Sequence, residues 1–329
     1  MSRLALTLAC WDYDRTRALM DGAVRPEGID LTFVPLMMPE SAFRMLRFGD
    51  FDASEMSLSW YCRTLFAEPR PFVAIPVFPS RMFRHSSIYV NSKSGIRDPS
   101  DLRGKRVGCP EYQMTAAVWI KGTLADYFDV PVDSVSYFTG GLEQPGRQET
   151  PLSVNGDISV TPIGSDRTLS EMLDRGDIDA LYTAHTPSCF SRDATHIVRL
   201  FEDYRSVEHE YFRQTQIFPI MHTVVIDAKL FDAHPWVAQS LTKAFEQAKA
   251  LAYRDLSETT ALKVMLPWLI AEAEETRAAL GEDYWPYGLD ANRATLETFL
   301  RYSYEQQLIP RIPAPEELFA PATLETAKI

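Results

Sequence analysis

The sequence predicts an α/β protein with two similar lobes, each built on a mainly parallel sheet that is flanked by helices. Patterns of short apolar strands alternate with helical patterns along the chain, which is typical of parallel sheets. The 329 residues exceed what one core usually takes, so two domains are expected. A ten-residue phrase also occurs twice, as MLRFGDFDAS from Met45 and as MLDRGDIDAL from Met172.

The two copies of this phrase share six of ten residues and predict the same local structure. Each copy ends a helical pattern, which in the first copy has Phe43, Met45 and Leu46 on one side. Gly49 and Gly176 then stand where a helix C-cap needs a positive φ. A short strand follows each glycine, and another strand pattern precedes each helix. We therefore expect two related lobes rather than a chance recurrence of a common Gly-Asp turn.

The other elements follow from apolar periodicity and from helix start signals. Strands are predicted at 4–10, 29–36, 72–78, 86–91, 157–163, 196–200 and 222–227, with a short helix, a turn and a strand over 99–110. Helices are predicted at 115–128, 206–214 and 234–256, the last with Pro235 at its first position. The C-terminal third is expected to be mostly helical, and the tail after Pro310 is expected to run over the surface.

The two lobe edges are the expected place for a ligand. In open α/β sheets ligands bind at the carboxyl ends of the parallel strands, and small-molecule sites concentrate between domains. The residues after the first repeat begin with Glu55 and include Ser57, and those after the second include His185. We expect these two edges to face one ligand cleft.

Charge and composition exclude several classes of function. The net charge of −12 disfavours a nucleic-acid partner and an anionic membrane surface, although a local basic pocket for a small anion is compatible with it. Four widely spaced cysteines lack a C-x-x-C motif, so reduced thiols are expected. The histidines show no metal-ligand spacing, and no glycine-rich phosphate loop is present, so neither a metal nor a cofactor is predicted. A metal site assembled from distant histidines stays open.

The N-terminal apolar run spans only Leu4–Cys10 and is followed at once by charged WDYDR. Such a run lies at the lower limit for a secretion signal, and a buried first strand is the better interpretation. No apolar stretch approaches the roughly 20 residues of a membrane helix. The sequence therefore predicts a cytoplasmic protein.

Several stretches resemble the 4,5-dihydroxyphthalate decarboxylase family, within the type 2 periplasmic-binding-protein fold. The more specific ones are FRHSSIYV from Phe83, PEYQMTAAVW from Pro110 and PIMHTVV from Pro219. The resemblance covers about residues 40–255 and implies a cleft enzyme with two interlaced lobes. The chain would cross between lobes near residues 90 and 220, with 1–90 and 222–329 in lobe one and 91–221 in lobe two.

The resemblance implies a cofactor-independent decarboxylase of a hydroxylated aromatic mono- or dicarboxylic acid, such as 4,5-dihydroxyphthalate. Such an enzyme protonates the ring carbon that loses CO₂. The alternatives are a solute-binding protein for a small aromatic or carboxylate ligand, which binds without chemistry, and a cytosolic ligand-binding or biosynthetic protein of the same fold. The expected partner is a small anionic aromatic substrate; a homo-oligomer is left open.

This chemistry needs a proton donor and a cationic group that holds a carboxylate. The candidate acids are His85, His185, His222 and Glu111, and the candidate substrate-binding residues are Arg81, Arg84, Glu55, Ser57, Thr115 and Arg147. Three of them lie in the basic segment SRMFRHS between two strands. Thr115 begins a helix whose free amides suit a carboxylate, and Arg147 lies in a glycine-rich loop. Each candidate also has a structural interpretation, such as a core histidine, a helix cap or an exposed loop arginine.

Overall fold

A computed structural model of the protein describes residues 3–147, 157–191, 193 and 195–324. The strands are β1 (Leu4–Cys10), β2 (Ile29–Pro35), β3 (Ala53–Ser57), β4 (Phe72–Ile75), β5 (Ile88–Asn91), β6 (Arg106–Cys109), β7 (Ser136–Thr139), β8 (Ser159–Pro162), β9 (Ala180–Tyr182), β10 (Ile197–Arg199) and β11 (His222–Asp227). The helices are α1 (Asp14–Met20), α2 (Met38–Phe48), α3 (Leu58–Thr64), α4 (Thr115–Phe128), α5 (Leu169–Arg175), α6 (Tyr204–Thr215), α7 (Ala228–Ala233), α8 (Trp236–Leu256), α9 (Leu269–Leu280) and α10 (Arg293–Glu305).

The chain forms two compact units. Unit 1 comprises Met1–Arg81, Ile220–Glu297 and Pro313–Ile329, and unit 2 comprises Met82–Pro219 and Thr298–Ile312. The predicted crossings, at 90/91 and 221/222, lie nine and two residues later than the observed ones. The difference arises because β5 pairs with strands of the unit 2 sheet and therefore lies wholly in unit 2.

Unit 1 contains a five-stranded sheet in the order β2-β1-β3-β11-β4. Strand β1 runs parallel to β2 and β3, and β11 runs antiparallel to β3 and β4. Helices α2, α3 and α8 pack against this sheet. Because β1 and β3 are covered in this way, Leu8, Ala9, Cys10 and Ala53 are fully buried.

Unit 2 contains a six-stranded sheet in the order β10-β5-β9-β6-β7-β8. Strand β6 runs parallel to β7 and β9, whereas β5 runs antiparallel to β9 and β10. One side is covered by α5, whose Leu169, Met172 and Leu173 pack with Ile178 and Leu181 in a buried cluster. Both sheets are thus mixed rather than purely parallel.

The duplicated phrase occupies equivalent places in the two sheets. Gly49 (φ 63°) ends α2 before β3, and Gly176 (φ 79°) ends α5 before β9. Ala53 and Ala180 are matching residues of the repeat. Ala53 pairs with Leu8 of the parallel strand β1, and Ala180 pairs with Val107 of the parallel strand β6; each partner is the third residue from the end of its strand. When the additional edge strand β8 is left out and the second order is read in reverse, β2-β1-β3-β11-β4 of unit 1 corresponds to β7-β6-β9-β5-β10 of unit 2. The predicted pair of related α/β units is therefore present.

Most predicted elements are confirmed, including β1, α4 and β11 within one residue of their predicted bounds. Three predictions are wrong. Phe43 and Met45 were predicted on one side of α2, but Phe43 is 50% exposed whereas Met45 is buried. The predicted helix over 234–256 begins only at Trp236, because Pro235 is its N-cap. The C-terminal tail does not simply cover the surface, since Leu318, Phe319 and Ala320 are buried.

Within the described residues, no helix is long and apolar enough to cross a membrane.

Candidate active site

The carboxyl edge of the unit 1 sheet brings Glu55 and His222 together. Their strands are antiparallel neighbours in which His222 lies opposite Ser57, so all three side chains share one face of the sheet. Glu55 is fully buried. Its Oε1 accepts hydrogen bonds from His222 Nδ1 at 2.6 Å and from the Tyr13 hydroxyl at 2.7 Å. Its Oε2 accepts one from the Trp11 backbone N–H at 3.0 Å.

The surroundings of Glu55 keep its carboxyl group ionised. Burial opposes the charge, but the charge of His222 and the hydrogen bonds from His222, Trp11 and Tyr13 together lower the pKa of Glu55. Burial and the charge of Glu55 raise the pKa values of the Tyr13 hydroxyl and of the Cys10 thiol, whose Sγ lies 3.5 Å from Glu55 Oε2. Both neighbours are therefore neutral donors to one carboxylate.

His222 is oriented by this carboxylate. An ionised carboxylate only accepts hydrogen bonds, so Nδ1 of His222 carries the hydrogen that faces Glu55. The ring is 14% exposed, and Nε2 has no hydrogen-bond partner among the described residues. The arrangement fixes one nitrogen and leaves the second to exchange a proton with a bound molecule.

Arg15 lies beside this cluster. Its guanidinium carbon is 4.2 Å from the centre of the Tyr13 ring and 4.1 Å from that of Trp285. Its Nε donates to the Pro79 carbonyl at 2.6 Å, and its Nη1 donates to Asp14 at 2.9 Å. The cation is therefore held in one orientation at the edge of the sheet.

Arg81 and Ser57 are also buried in unit 1. Arg81 Nη2 donates to the Pro286 carbonyl at 2.7 Å and to the Asn292 side chain. Burial lowers the pKa of Arg81 to about 9. These contacts fit a role inside the unit better than a role as a carboxylate clamp. Ser57 is the last residue of β3 and the N-cap residue of α3.

His85 and Arg84 lie in unit 2, in an aromatic environment. The His85 ring is packed among Phe128, Phe201 and Tyr211, and its centroid lies 5.2–6.4 Å from theirs. Neither ring nitrogen has a hydrogen-bond partner among the described residues. Burial lowers the pKa of His85 to about 4, so the ring is neutral at neutral pH. A cavity lined in part by Arg84 and His85 has room for about one water molecule. The geometry therefore favours His222 over His85 as the acid.

Glu208 is the acidic neighbour of His85. Its Oε1 lies 3.8 Å from His85 Nδ1, and it accepts a hydrogen bond from the Ser86 backbone N–H at 3.4 Å. Burial raises the pKa of Glu208 to about 7, against the opposing effects of the backbone hydrogen bonds and of the Arg84 charge. For the cationic Arg84, burial has the opposite effect and lowers the pKa to about 10.

The other four candidates lie at the carboxyl edge of the unit 2 sheet. Arg147 Nη2 pairs with Glu111 Oε1 at 2.7 Å, which links the loop after β7 to the turn after β6. Thr115 is buried as the first residue of α4, whose N-cap is Met114. His185 is exposed in the turn after β9. All four belong to unit 2, whereas Glu55 and His222 belong to unit 1.

The sequence alone leaves open a metal site assembled from distant histidines. Across the described residues, no group of three or more His, Cys, Asp or Glu side chains is arranged to hold a metal ion.

No family model matches the chain. It is 40% identical over 330 residues to the 4,5-dihydroxyphthalate decarboxylase of Comamonas testosteroni, and the match covers 100% of both chains. The chain belongs to the 4,5-dihydroxyphthalate decarboxylase family. A second relative of that name, from Pseudomonas putida, is 38% identical over 214 residues, which is 65% of this chain and 83% of that one.

Solved structures confirm the predicted periplasmic-binding-protein fold for this family member. The sulfonate-binding protein SsuA of Methylobacillus flagellatus has a TM-score of 0.54 at 13% identity, over 98% of this chain and 93% of that one. SsuA of Escherichia coli has a TM-score of 0.51 at 14% identity, over 98% and 99%. At such low identity the likeness concerns the fold alone.

Sequence reasoning missed three residues of the candidate site in this 4,5-dihydroxyphthalate decarboxylase family member. Trp11, Tyr13 and Arg15 all lie in WDYDR, which the sequence marks only as the charged segment after the first apolar run. The signal was available, because this segment directly follows the carboxyl end of a strand that was predicted to be buried.

Proposed function

We propose that the protein is a carboxy-lyase that converts 4,5-dihydroxyphthalate into 3,4-dihydroxybenzoate and CO₂. The observation that carries this proposal is the 40% identity with the Comamonas testosteroni relative over the whole of both chains. The Glu55–His222 pair supports it, because this reaction needs a positioned acid.

The proposed reaction replaces one ring carboxylate by a proton at the same carbon. The hydroxyl group para to that carbon releases electron density into the ring, more strongly once it is deprotonated, so the carbon can accept a proton. The bond to the carboxylate then breaks, its electron pair returns to the ring, and CO₂ leaves. By this route the substrate supplies its own electron source and needs no cofactor.

His222 is the proposed proton donor. In the protonated form of His222, Nε2 transfers a proton to the substrate ring carbon. The neutral imidazole then takes up a proton from solvent. Glu55 stabilises the protonated imidazole and fixes its orientation through Nδ1. Tyr13 and Trp11 hold Glu55 in place through their hydrogen bonds.

His222→Gln tests this role. Removing a general acid lowers turnover by roughly 10²- to 10⁴-fold, and we expect that loss in kcat with KM little changed. Glu55→Gln should also lower kcat, because the amide no longer stabilises the charged ring. The measurement is CO₂ release and 3,4-dihydroxybenzoate formation from 4,5-dihydroxyphthalate.

His209→Gln is the matched control, because His209 is exposed on α6 and belongs to no cluster described above. It should retain wild-type turnover. A wild-type kcat in His222→Gln would rule out His222 as the acid. If the wild-type protein binds 4,5-dihydroxyphthalate without releasing CO₂, the proposed reaction fails and a solute-binding role is favoured instead.

The small anionic aromatic partner stays a prediction from the sequence. The cytoplasmic location also stays a prediction, and fractionation of cells that produce the protein tests it.

A further inference from the structure

We infer that Arg15 binds the carboxylate group that the substrate keeps. This inference rests on the proposed function, because 4,5-dihydroxyphthalate has two carboxylates and loses only one. The second must be held during the reaction and is still present in the product, 3,4-dihydroxybenzoate. A planar guanidinium group suits such a carboxylate, because its N–H donors match the two oxygens.

The guanidinium group of Arg15 is fixed before any ligand arrives. It packs on both the Tyr13 ring and the Trp285 ring, and its Nε donates a hydrogen bond to the Pro79 carbonyl. Trp285 is itself anchored, since its indole N–H donates to the Phe78 carbonyl at 2.9 Å. A cation that is already ordered loses little conformational entropy when it binds an anion.

One end of this guanidinium group is available. Nε and Nη1 are used by Pro79 and Asp14, whereas Nη2 has no partner among the described residues. The side chain is 16% exposed, so a bound molecule can reach it. Arg81 differs on this point, because its Nη2 already contacts Pro286 and Asn292.

Arg15 and the proposed acid share one wall of the sheet edge. Arg15 Nε and the His222 backbone N–H donate to consecutive carbonyls, those of Pro79 and Ser80. Tyr13 provides a second link, because its ring stacks on Arg15 while its hydroxyl donates to Glu55. A ring whose retained carboxylate binds Arg15 is thereby held beside His222.

Binding of the product and of a product analogue separates this role from a structural one. Isothermal titration with 3,4-dihydroxybenzoate and with catechol compares two ligands that differ only in the retained carboxylate. Arg15→Gln should weaken binding of 3,4-dihydroxybenzoate by roughly 10- to 150-fold, the loss of one charge-assisted hydrogen-bonded pair. Catechol binding should not change. The affinity of Arg15→Lys for 3,4-dihydroxybenzoate should lie between those of the wild type and of Arg15→Gln, because lysine keeps the charge but not the planar group.

Arg17→Gln is the matched control, since Arg17 lies on the same helix, pairs with Asp12 and is 58% exposed. It should bind 3,4-dihydroxybenzoate like the wild-type protein. Three results would overturn the inference: equal affinity of Arg15→Gln and the wild type, an equal loss for catechol, or no wild-type affinity for 3,4-dihydroxybenzoate. If Arg15→Gln does not fold, Arg15→Lys with wild-type affinity also overturns it.

These binding measurements do not require turnover. A wild-type protein that binds 3,4-dihydroxybenzoate through Arg15 but releases no CO₂ would contradict the proposed reaction and support the carboxylate site. Turnover that persists with unchanged KM in Arg15→Gln would contradict the carboxylate site alone.

Discussion

His85 is buried in unit 2, its neighbour Glu208 is half-buried, and burial shifts their pKa values in opposite directions. The pKa of His85 falls to about 4 from 6.5, and that of Glu208 rises to about 7 from 4.5. Folded His85 therefore binds fewer protons than the unfolded residue, so its contribution to stability increases as pH rises from 4 to 6.5. For Glu208 the folded state binds more protons, and stability decreases as pH rises from 4.5 to 7.

Because these two effects oppose each other, we expect single substitutions to expose each one. In His85→Gln the effect of Glu208 remains, so the free energy of unfolding should fall between pH 4.5 and 7 by on the order of 2–3 kcal/mol relative to the wild type. In Glu208→Gln it should rise between pH 4 and 6.5 by a similar amount. Urea denaturation across this pH range measures both. Parallel profiles for the wild type and both variants would contradict the prediction; His209→Gln is the control.

The sequence predicted that Glu55, Ser57 and His222 are site residues but not how they interact. Glu55 and Ser57 follow a repeated phrase whose helix, glycine and strand are local features, so their place at a strand end could be predicted. Glu55 and His222 are 167 positions apart, and their contact depends on how β3 and β11 pair. Local patterns do not encode that register. For the same reason the sequence could not distinguish His222, which is hydrogen-bonded to a carboxylate, from His85, whose ring nitrogens have no hydrogen-bond partner among the described residues.

Helix α4 shows how one glycine permits close packing between elements. A Cβ atom added at Gly122 would lie 2.2 Å from the Tyr302 ring, which also packs edge-on against Trp119. Tyr302 lies in Thr298–Ile312, a segment that belongs to unit 2 although the sequence placed it in lobe one. The predicted bounds of α4 were correct because apolar periodicity is local, but its packing partner is about 180 positions away.

Gly122→Ala should therefore destabilise the protein. Alanine favours a helix by about 1 kcal/mol over glycine, so without the contact the change would be stabilising. A clash with a buried ring costs about 1–3 kcal/mol or more, and we expect the clash to dominate. Thermal unfolding measures the net effect. In a Tyr302→Ala background, which makes room for the methyl group, the same substitution should be neutral or stabilising. Destabilisation of equal size in both backgrounds would contradict this explanation.

The tail shows a limit of local patterns at the same scale. Residues after Pro310 are rich in proline, which predicted an extended surface segment. In the structure Ala320 N–H donates to the Ala74 carbonyl, and Phe319 packs edge-on against Phe78. Leu318, Phe319 and Ala320 are buried because unit 1 offers them a strand edge and an apolar surface, and neither can be inferred from the tail itself.

At the scale of the whole molecule, the two sheets repeat one plan. The order β2-β1-β3-β11-β4 in unit 1 corresponds to β7-β6-β9-β5-β10 in unit 2, with β8 as an additional edge strand. The duplicated phrase occupies the same position in both orders. Identical residues at such positions meet the same backbone requirement, so identical substitutions should have similar effects in both units.

Gly49 and Gly176 allow a direct test of this equivalence. Both are C-cap residues with a positive φ, and each N–H donates to a carbonyl of the preceding helical turn. A Cβ atom at Gly49 would meet nothing within 4 Å, and one at Gly176 would meet only Asn91 Nδ2 at 3.8 Å. Gly49→Ala and Gly176→Ala should therefore each cost only the backbone strain of alanine in the left-handed region, about 1–2 kcal/mol.

Gly49→Asn and Gly176→Asn should each lose less than the alanine variants, because asparagine tolerates this region better. Urea denaturation gives the free energies, and hydrogen exchange should be faster first in the strand that follows the substituted glycine, β3 or β9. If the two alanine variants differ by more than about 1 kcal/mol, or if asparagine is as costly as alanine, steric contacts rather than a shared backbone requirement determine the effect. The repeated phrase would then mark a similarity of sequence without equivalent energetics.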